Sequence, residues 1–162
     1  DVPGLNLQPR GTTALLDAIG RIVSDAGAHL ASLPEDQRPG AVIVGIMTDG
    51  YENASREWTH PAIKSLVQQQ TKTYNWEFLY MGADQDAIEV GASLGVQANR
   101  SMTYSRDASG PAMAATSAVV GRLRAARATG APAADIGYSA EERQASAGEH
   151  SGRPTKKTRP TR

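Results

Sequence analysis

Cysteine is absent from all 162 residues. That excludes a disulfide scaffold, thiolate zinc sites and cysteine nucleophiles. It fits a reducing compartment, and the expected location is cytoplasmic. Aromatic residues are scarce, at 5% with a single Phe, so a core must be built mainly from small aliphatic side chains. No apolar run approaches the roughly 18 residues of a membrane-spanning helix. No signal-peptide pattern is read in these residues, and there is no initiator Met; the sequence opens on Asp1 in a loop-like stretch, DVPGLNLQPRG. The expectation is an interior fragment of a longer protein. No glycine-rich phosphate loop of the Walker kind occurs. His29, His60 and His150 lie far apart, which argues against a histidine cluster or a Ser-His-Asp triad.

Net charge is missing too, since 17 basic and 17 acidic residues cancel. The cancellation hides an asymmetry. Arg153, Lys156, Lys157, Arg159 and Arg162 occupy residues 151–162 without an acid, which leaves 12 basic against 17 acidic residues in 1–150. An acidic body thus ends in a basic tail. A nucleic-acid partner is not expected of such a body. The length fits one domain, or one domain with a tail.

What is present reads as alternating helices and strands. Leu15, Leu16, Ile19, Ile22, Val23, Ala26 and Leu30 recur at helical steps from Thr12 onward, and Pro34 closes the segment. AVIVGIM (41–47) predicts a strand buried on both faces. A second helix is expected from Thr59, its N-cap, with Pro61 in the first turn. WEFLYMG (76–82) predicts another strand, and Asp84 is placed to cap a short helix that stops at Gly95. A weaker strand near 96–104 precedes a helix beginning around Pro111, with Met113, Thr116, Val119, Val120 and Leu123 on its face. From about residue 129 no apolar stripe survives, and 130–162 is expected to be mostly disordered. The order predicts an α/β fold with a mostly parallel sheet and helices on both faces. Ligands in such sheets gather at the carboxyl ends of the strands, which singles out Asp49, Gly50 and Asp84.

Asp49 is poised after a buried strand, with Gly50 letting the chain turn away; a plain Asp-Gly turn is the simpler alternative. Thr12 and Thr13 open a helix and could serve as a cap or as hydroxyl ligands of a hard cation such as magnesium. Glu52 and Asn53 sit in the following loop and could rim a ligand surface. Trp58 and Trp76 read as packing residues.

Two segments carry a resemblance. RGTTALLDAI (10–19) and VIVGIMTDGYEN (42–53) resemble a von Willebrand factor type A domain, and LYMGADQDAIEVGASLGV (79–96) is similar to the continuation in bacterial and phage-type members. The resemblance covers about 10–128. It implies a three-layer Rossmann-like sandwich with a metal-ion-dependent adhesion site. It places the family's threonine on Thr13, beside Thr12, and its aspartate on Asp49. The implied cofactor is Mg2+ or Mn2+, and the implied activity is binding a protein partner through a metal-bridged carboxylate, not catalysis. Thr12, Gly50, Glu52, Asn53 and Asp84 would rim that surface. The family's Asp-x-Ser-x-Ser segment has no counterpart here, nor do its first strands. Residues 1–128 therefore read as a partial domain whose 41–47 strand has an open edge and whose metal affinity is weak or undetectable. An alternative is a metal-dependent enzyme with Asp49 as ligand or nucleophile; another is a fragment without independent activity.

Overall fold

The computed structural model describes residues 12–148. Among them, α1 (Leu15–Ser32), β1 (Ile43–Thr48), α2 (His60–Tyr74), β2 (Glu77–Ala83), α3 (Ala87–Ser93), β3 (Ser101–Tyr104), α4 (Ser109–Thr129) and α5 (Ala140–Ser146) follow one another. The strands form one parallel sheet in the order β1-β2-β3, with Ile43 opposite Glu77 and Tyr80 opposite Ser101. The fold is therefore α/β. Sequential strands are neighbours, and the helix in each crossover, α2 then α3, lies on the same face, as connections of constant hand require.

That face buries Leu16, Ile19 and Val23 of α1, Ile63 and Val67 of α2 and Leu94 after α3 against Ile46, Phe78 and Tyr80. The opposite face packs Ala115, Val119 and Leu123 of α4 on Leu79, Met81 and Met102. All seven residues of β2 are buried. Each such Leu, Val or Ile contributes about 1.5–3 kcal/mol relative to an exposed one, so β2 and its two helix layers hold most of the core.

Local chemistry sets most of the boundaries. Thr59 accepts from the Ala62 N–H, with Pro61 in the first turn, and Asn75 ends α2 in the left-handed region at φ 57°. Gly95 ends the α3 segment at φ +88°, where a side chain would be strained. Three expectations need correction. The cap of α3 is Asp86, whose Oδ1 accepts from Ile88 and Glu89 at 3.1 and 3.0 Å; Asp84 sits two residues earlier in a left-handed turn at φ 51°. Met113 faces solvent, because α4 is rotated to bury Ala112, Ala115, Val119, Leu123 and Ala126. Finally, β1 is buried at Ile46 and Thr48 while Gly45 and Met47 are exposed. It is the sheet's edge among the described residues, and α4 covers β2 and β3 more fully than it covers β1.

The expected disorder after residue 128 is overturned for 130–148; residues 149–162, with the basic tail, lie outside the described residues. Polar bonds and one aromatic side chain order this segment without an apolar stripe. Tyr138 is buried against α4, its hydroxyl 3.0 Å from that of Thr116. Arg100, buried in an ion pair with Glu77, also donates to the carbonyls of Ala133 and Ile136 at 2.7 and 3.2 Å. Burial, then the neighbouring Arg127, lowers the Arg100 pKa from its ordinary value. Ser139 and Glu142 close a reciprocal capping box on α5. Arg143 donates to the carbonyls of Ser101, Ala98 and Asn99.

Candidate functional site

The carboxyl ends of the strands meet the amino end of α1, and the loop 49–58 fastens the two. Ala14 is the N-cap residue of α1 and supplies no side-chain bond. The loop supplies the acceptors instead. Glu52 Oε2 accepts from the Leu16 N–H at 2.9 Å, Ser55 Oγ from the Asp17 N–H at 3.0 Å and Asn53 Oδ1 from the Thr13 N–H at 2.8 Å. The Asn53 N–H donates back to the Thr13 carbonyl at 3.1 Å.

Asp17 returns the favour from the helix. Its carboxylate accepts from the N–H groups of Arg56, Glu57 and Trp58 at 2.8, 3.0 and 2.9 Å. The Trp58 ring then lies on Gly20, where an added Cβ would stand 2.3 Å from the indole. Orphan helix N–H groups and a loop that needs acceptors thus satisfy one another.

The charges follow from these bonds. Burial opposes ionisation of Glu52, but bonds from the Ser55 and Leu16 N–H groups, the Ser55 hydroxyl and the Ala54 N–H outweigh it and hold the carboxyl at about 2. The Arg56 N–H does the same for Asp17 against its desolvation, helped by those of Trp58 and Glu57, so its pKa is lowered.

This latch brings Thr13 and Asp49, 36 positions apart, into the lining of one cavity of about 500 Å3. Ala14, Leu15, Ala18, Met47, Thr48 and Tyr104 complete the lining. Thr13 Oγ1 would be 3.1 Å from a Cβ at Gly50, so the glycine leaves room for the hydroxyl. The Thr48 hydroxyl is committed to the turn, donating to the Gly50 carbonyl at 2.8 Å and accepting its N–H at 3.2 Å. Thr12 is exposed at the start of the described chain. Burial, then the charge of Asp49, raises the Tyr104 pKa.

The remaining expected rim residues are placed differently. The acceptors of Glu52 and Asn53 hold the loop and α1, and neither residue lines the cavity. Asp84 is 3.5 Å from Arg106, whose guanidinium also donates to the Asp49 carbonyl at 2.8 Å. Sequence reading missed Asp17, Ser55 and Arg106 as parts of this region. Asp17 carried one usable signal, an acid in the first helical turn. Ser55 and Arg106 carried none, because their partners are fixed only by the fold.

A divalent cation would meet few donors in this cavity. Magnesium needs near-octahedral oxygen coordination, with carboxylates supplying most of the protein's share. The cavity offers the Asp49 carboxylate and the Thr13 hydroxyl, while Arg106 already places a positive charge on the Asp49 turn. No group of three or more His, Cys, Asp or Glu that could hold a metal occurs among the described residues. The cavity residues described, with one carboxylate and one free threonine hydroxyl, do not fit a magnesium or manganese site. No described helix is long and apolar enough to cross a membrane. Comparison with known proteins finds no matching family model, no matching curated protein and no matching solved structure.

Proposed function

We propose that this chain carries part of the ligand surface of a protein-binding module of the von Willebrand factor type A kind, with the Thr13–Asp49 cavity as its contact region. The observation that carries the reading is the meeting of Thr13 and Asp49 in the lining of one cavity at the carboxyl end of a parallel sheet. This is where open α/β sheets gather ligands. What favours binding over catalysis is the chemistry of the lining. Asp49 is exposed, the cavity lining around it is hydroxyl, apolar and phenol, Arg106 donates to its carbonyl, and no second carboxylate or histidine lines the cavity. A general acid–base pair would need one within hydrogen-bond reach. A metal-bridged partner carboxylate, the mode the resemblance implies, needs oxygen donors beyond Thr13 and Asp49.

Peptides selected by display on the 162-residue chain test the reading. The expected result is a binder that loses about tenfold or more in affinity on both Asp49→Ala and Thr13→Ala. Binders indifferent to both substitutions would remove the cavity from the account.

A further inference from the structure

Gln85 follows β2 between two exposed aspartates, Asp84 and Asp86, yet it is itself only 6% exposed. Its amide Nε2 and Oε1 are closed to solvent, and neither has a hydrogen-bond partner among the described residues. The Tyr80 hydroxyl is in the same state. The two groups are neighbours: burial, then Tyr51, pushes the Tyr80 phenol up to about 12, and the Gln85 amide opposes that rise. They nevertheless do not meet in hydrogen-bond geometry. An amide and a hydroxyl enclosed in this way give up their bonds to water and gain none in return. Being enclosed already, these atoms are out of reach of any further strand at the β1 edge.

The inward position of Gln85 depends on a glycine and on a twisted neighbour. A Cβ at Gly82 would stand 2.6 Å from Gln85 Nε2 and 2.7 Å from its Cγ, so only glycine leaves the amide its place on β2. Asp84 holds φ at 51°, in the left-handed region that disfavours residues with a side chain. Three contacts keep the turn there. The Asp84 N–H donates to the Tyr104 carbonyl at 3.0 Å, the Thr103 hydroxyl donates to the Gln85 carbonyl at 2.8 Å, and Arg106 stands 3.5 Å from the Asp84 carboxylate. Returning Asp84 to the right-handed region re-aims the residue that follows it. The backbone twist and the unpaired amide are then relieved together, because both belong to one turn.

We propose that residues 84–86 form a two-position turn, with Gln85 lying over Gly82 in one position and standing in solvent at the carboxyl end of β2 in the other. In the outward position the amide adds a donor and an acceptor to the surface at that end of the sheet. Arg106 sets the balance, since the guanidinium that holds Asp84 inward also donates to the Asp49 carbonyl at 2.8 Å. Whatever draws Arg106 away from Asp84 turns Gln85 out. The proposal goes beyond the reading of the Thr13–Asp49 cavity, because it is a property of the chain without any partner.

NMR on the labelled 162-residue chain tests it. Relaxation dispersion is expected at the backbone of residues 84–86 and at the Gln85 side-chain amide, and not at the middle of β2. Gln85→Met, which keeps an unbranched chain of similar length and needs no partner, should abolish the dispersion at Asp84 and Asp86 and raise the urea midpoint. Gly82→Ala should speed hydrogen exchange of the Gln85 side-chain amide about tenfold or more by denying it its place. Arg106→Ala should act in the same direction. If Gly82→Ala does not fold, the unsubstituted chain and Gln85→Met decide. The proposal is overturned if the unsubstituted chain shows no exchange at 84–86, or if Gln85→Met lowers the midpoint. A contact between the Gln85 amide and an enclosed, long-lived water would also overturn it, because the amide would then be satisfied where it lies.

Discussion

Removing the Glu52 carboxylate by Glu52→Ala perturbs the latch at its most connected atom pair. In the folded chain the carboxylate accepts from the N–H groups of Leu16, Ala54 and Ser55 and from the Ser55 hydroxyl, at 2.7–2.9 Å. Hydrogen bonds to a charged group are each worth about 1.5–3 kcal/mol, and loss of a helix cap costs about 0.5–2 kcal/mol. The four bonds share one carboxylate and water replaces part of them, so the expected loss is about 2–3 kcal/mol. The lowered pKa expresses the same bonds through proton linkage. A shift from 4.5 to about 2 corresponds to about 3 kcal/mol before screening and about 1–2 kcal/mol after discounting for partial exposure. For a domain of this size that lowers Tm by roughly 4–10 °C.

Urea unfolding followed by circular dichroism at pH 7, repeated at intervals down to pH 2, measures both quantities. The folded pKa lies below the unfolded one, so the stabilisation is complete above about 4.5 and fades as pH falls toward about 2. Glu52→Ala and the parent should therefore converge in stability across that window. Asp17, Glu141 and Glu142, whose pKa values are also lowered, supply the acid dependence that remains in the variant. Glu57→Ala removes only an exposed pair with Arg21 and should cost under about 0.5 kcal/mol. A Glu52→Ala loss no larger than that control, or a difference independent of pH, would refute the latch.

Other outcomes follow from the same structure. Calorimetry with magnesium or manganese chloride should show no affinity tighter than about millimolar, and Asp49→Ala should leave the heats unchanged. Micromolar affinity abolished by that substitution would contradict the donor analysis. Tyr138→Ala should cost about 3 kcal/mol, read by urea midpoint, because it empties a buried site under α4. A negligible change would return residues 130–148 to the status of a loose tail. Gly20→Ala should destabilise by about 1–3 kcal/mol despite its helical advantage, since the new Cβ would meet Trp58; an increase in Tm would show that the ring moves freely.

The sequence made the α/β alternation legible where signals are local. The apolar runs of β1 and β2, the Thr59 cap and the Gly95 stop all act through their own neighbours. The α4 rotation was not legible, because three of its five buried residues are alanines, which carry little hydrophobic signal. Asp84 and Asp86 are chemically alike, and only the left-handed turn at Asp84 decides which one caps α3. Arg100 and Arg143 order the 130–148 segment through carbonyls that no pattern announces. One signal there was readable, the Ser139–Glu142 spacing of a capping box. Thr13 and Asp49 were legible as a pair only through the family resemblance. What joins them, Asp17 to the loop amides and Glu52 to α1, spans 36 to 41 positions and exists only once the chain has folded.

The central claim is that the Thr13–Asp49 cavity is the contact surface for a protein partner. The most direct measurement is an NMR map of amide shifts when a display-selected peptide is added to the uniformly labelled chain. The account predicts that the largest changes fall on Thr13, Thr48, Asp49, Gly50 and Tyr104 and vanish with Asp49→Ala. Changes centred on α2, α5 or another surface, and unaffected by that substitution, would contradict it.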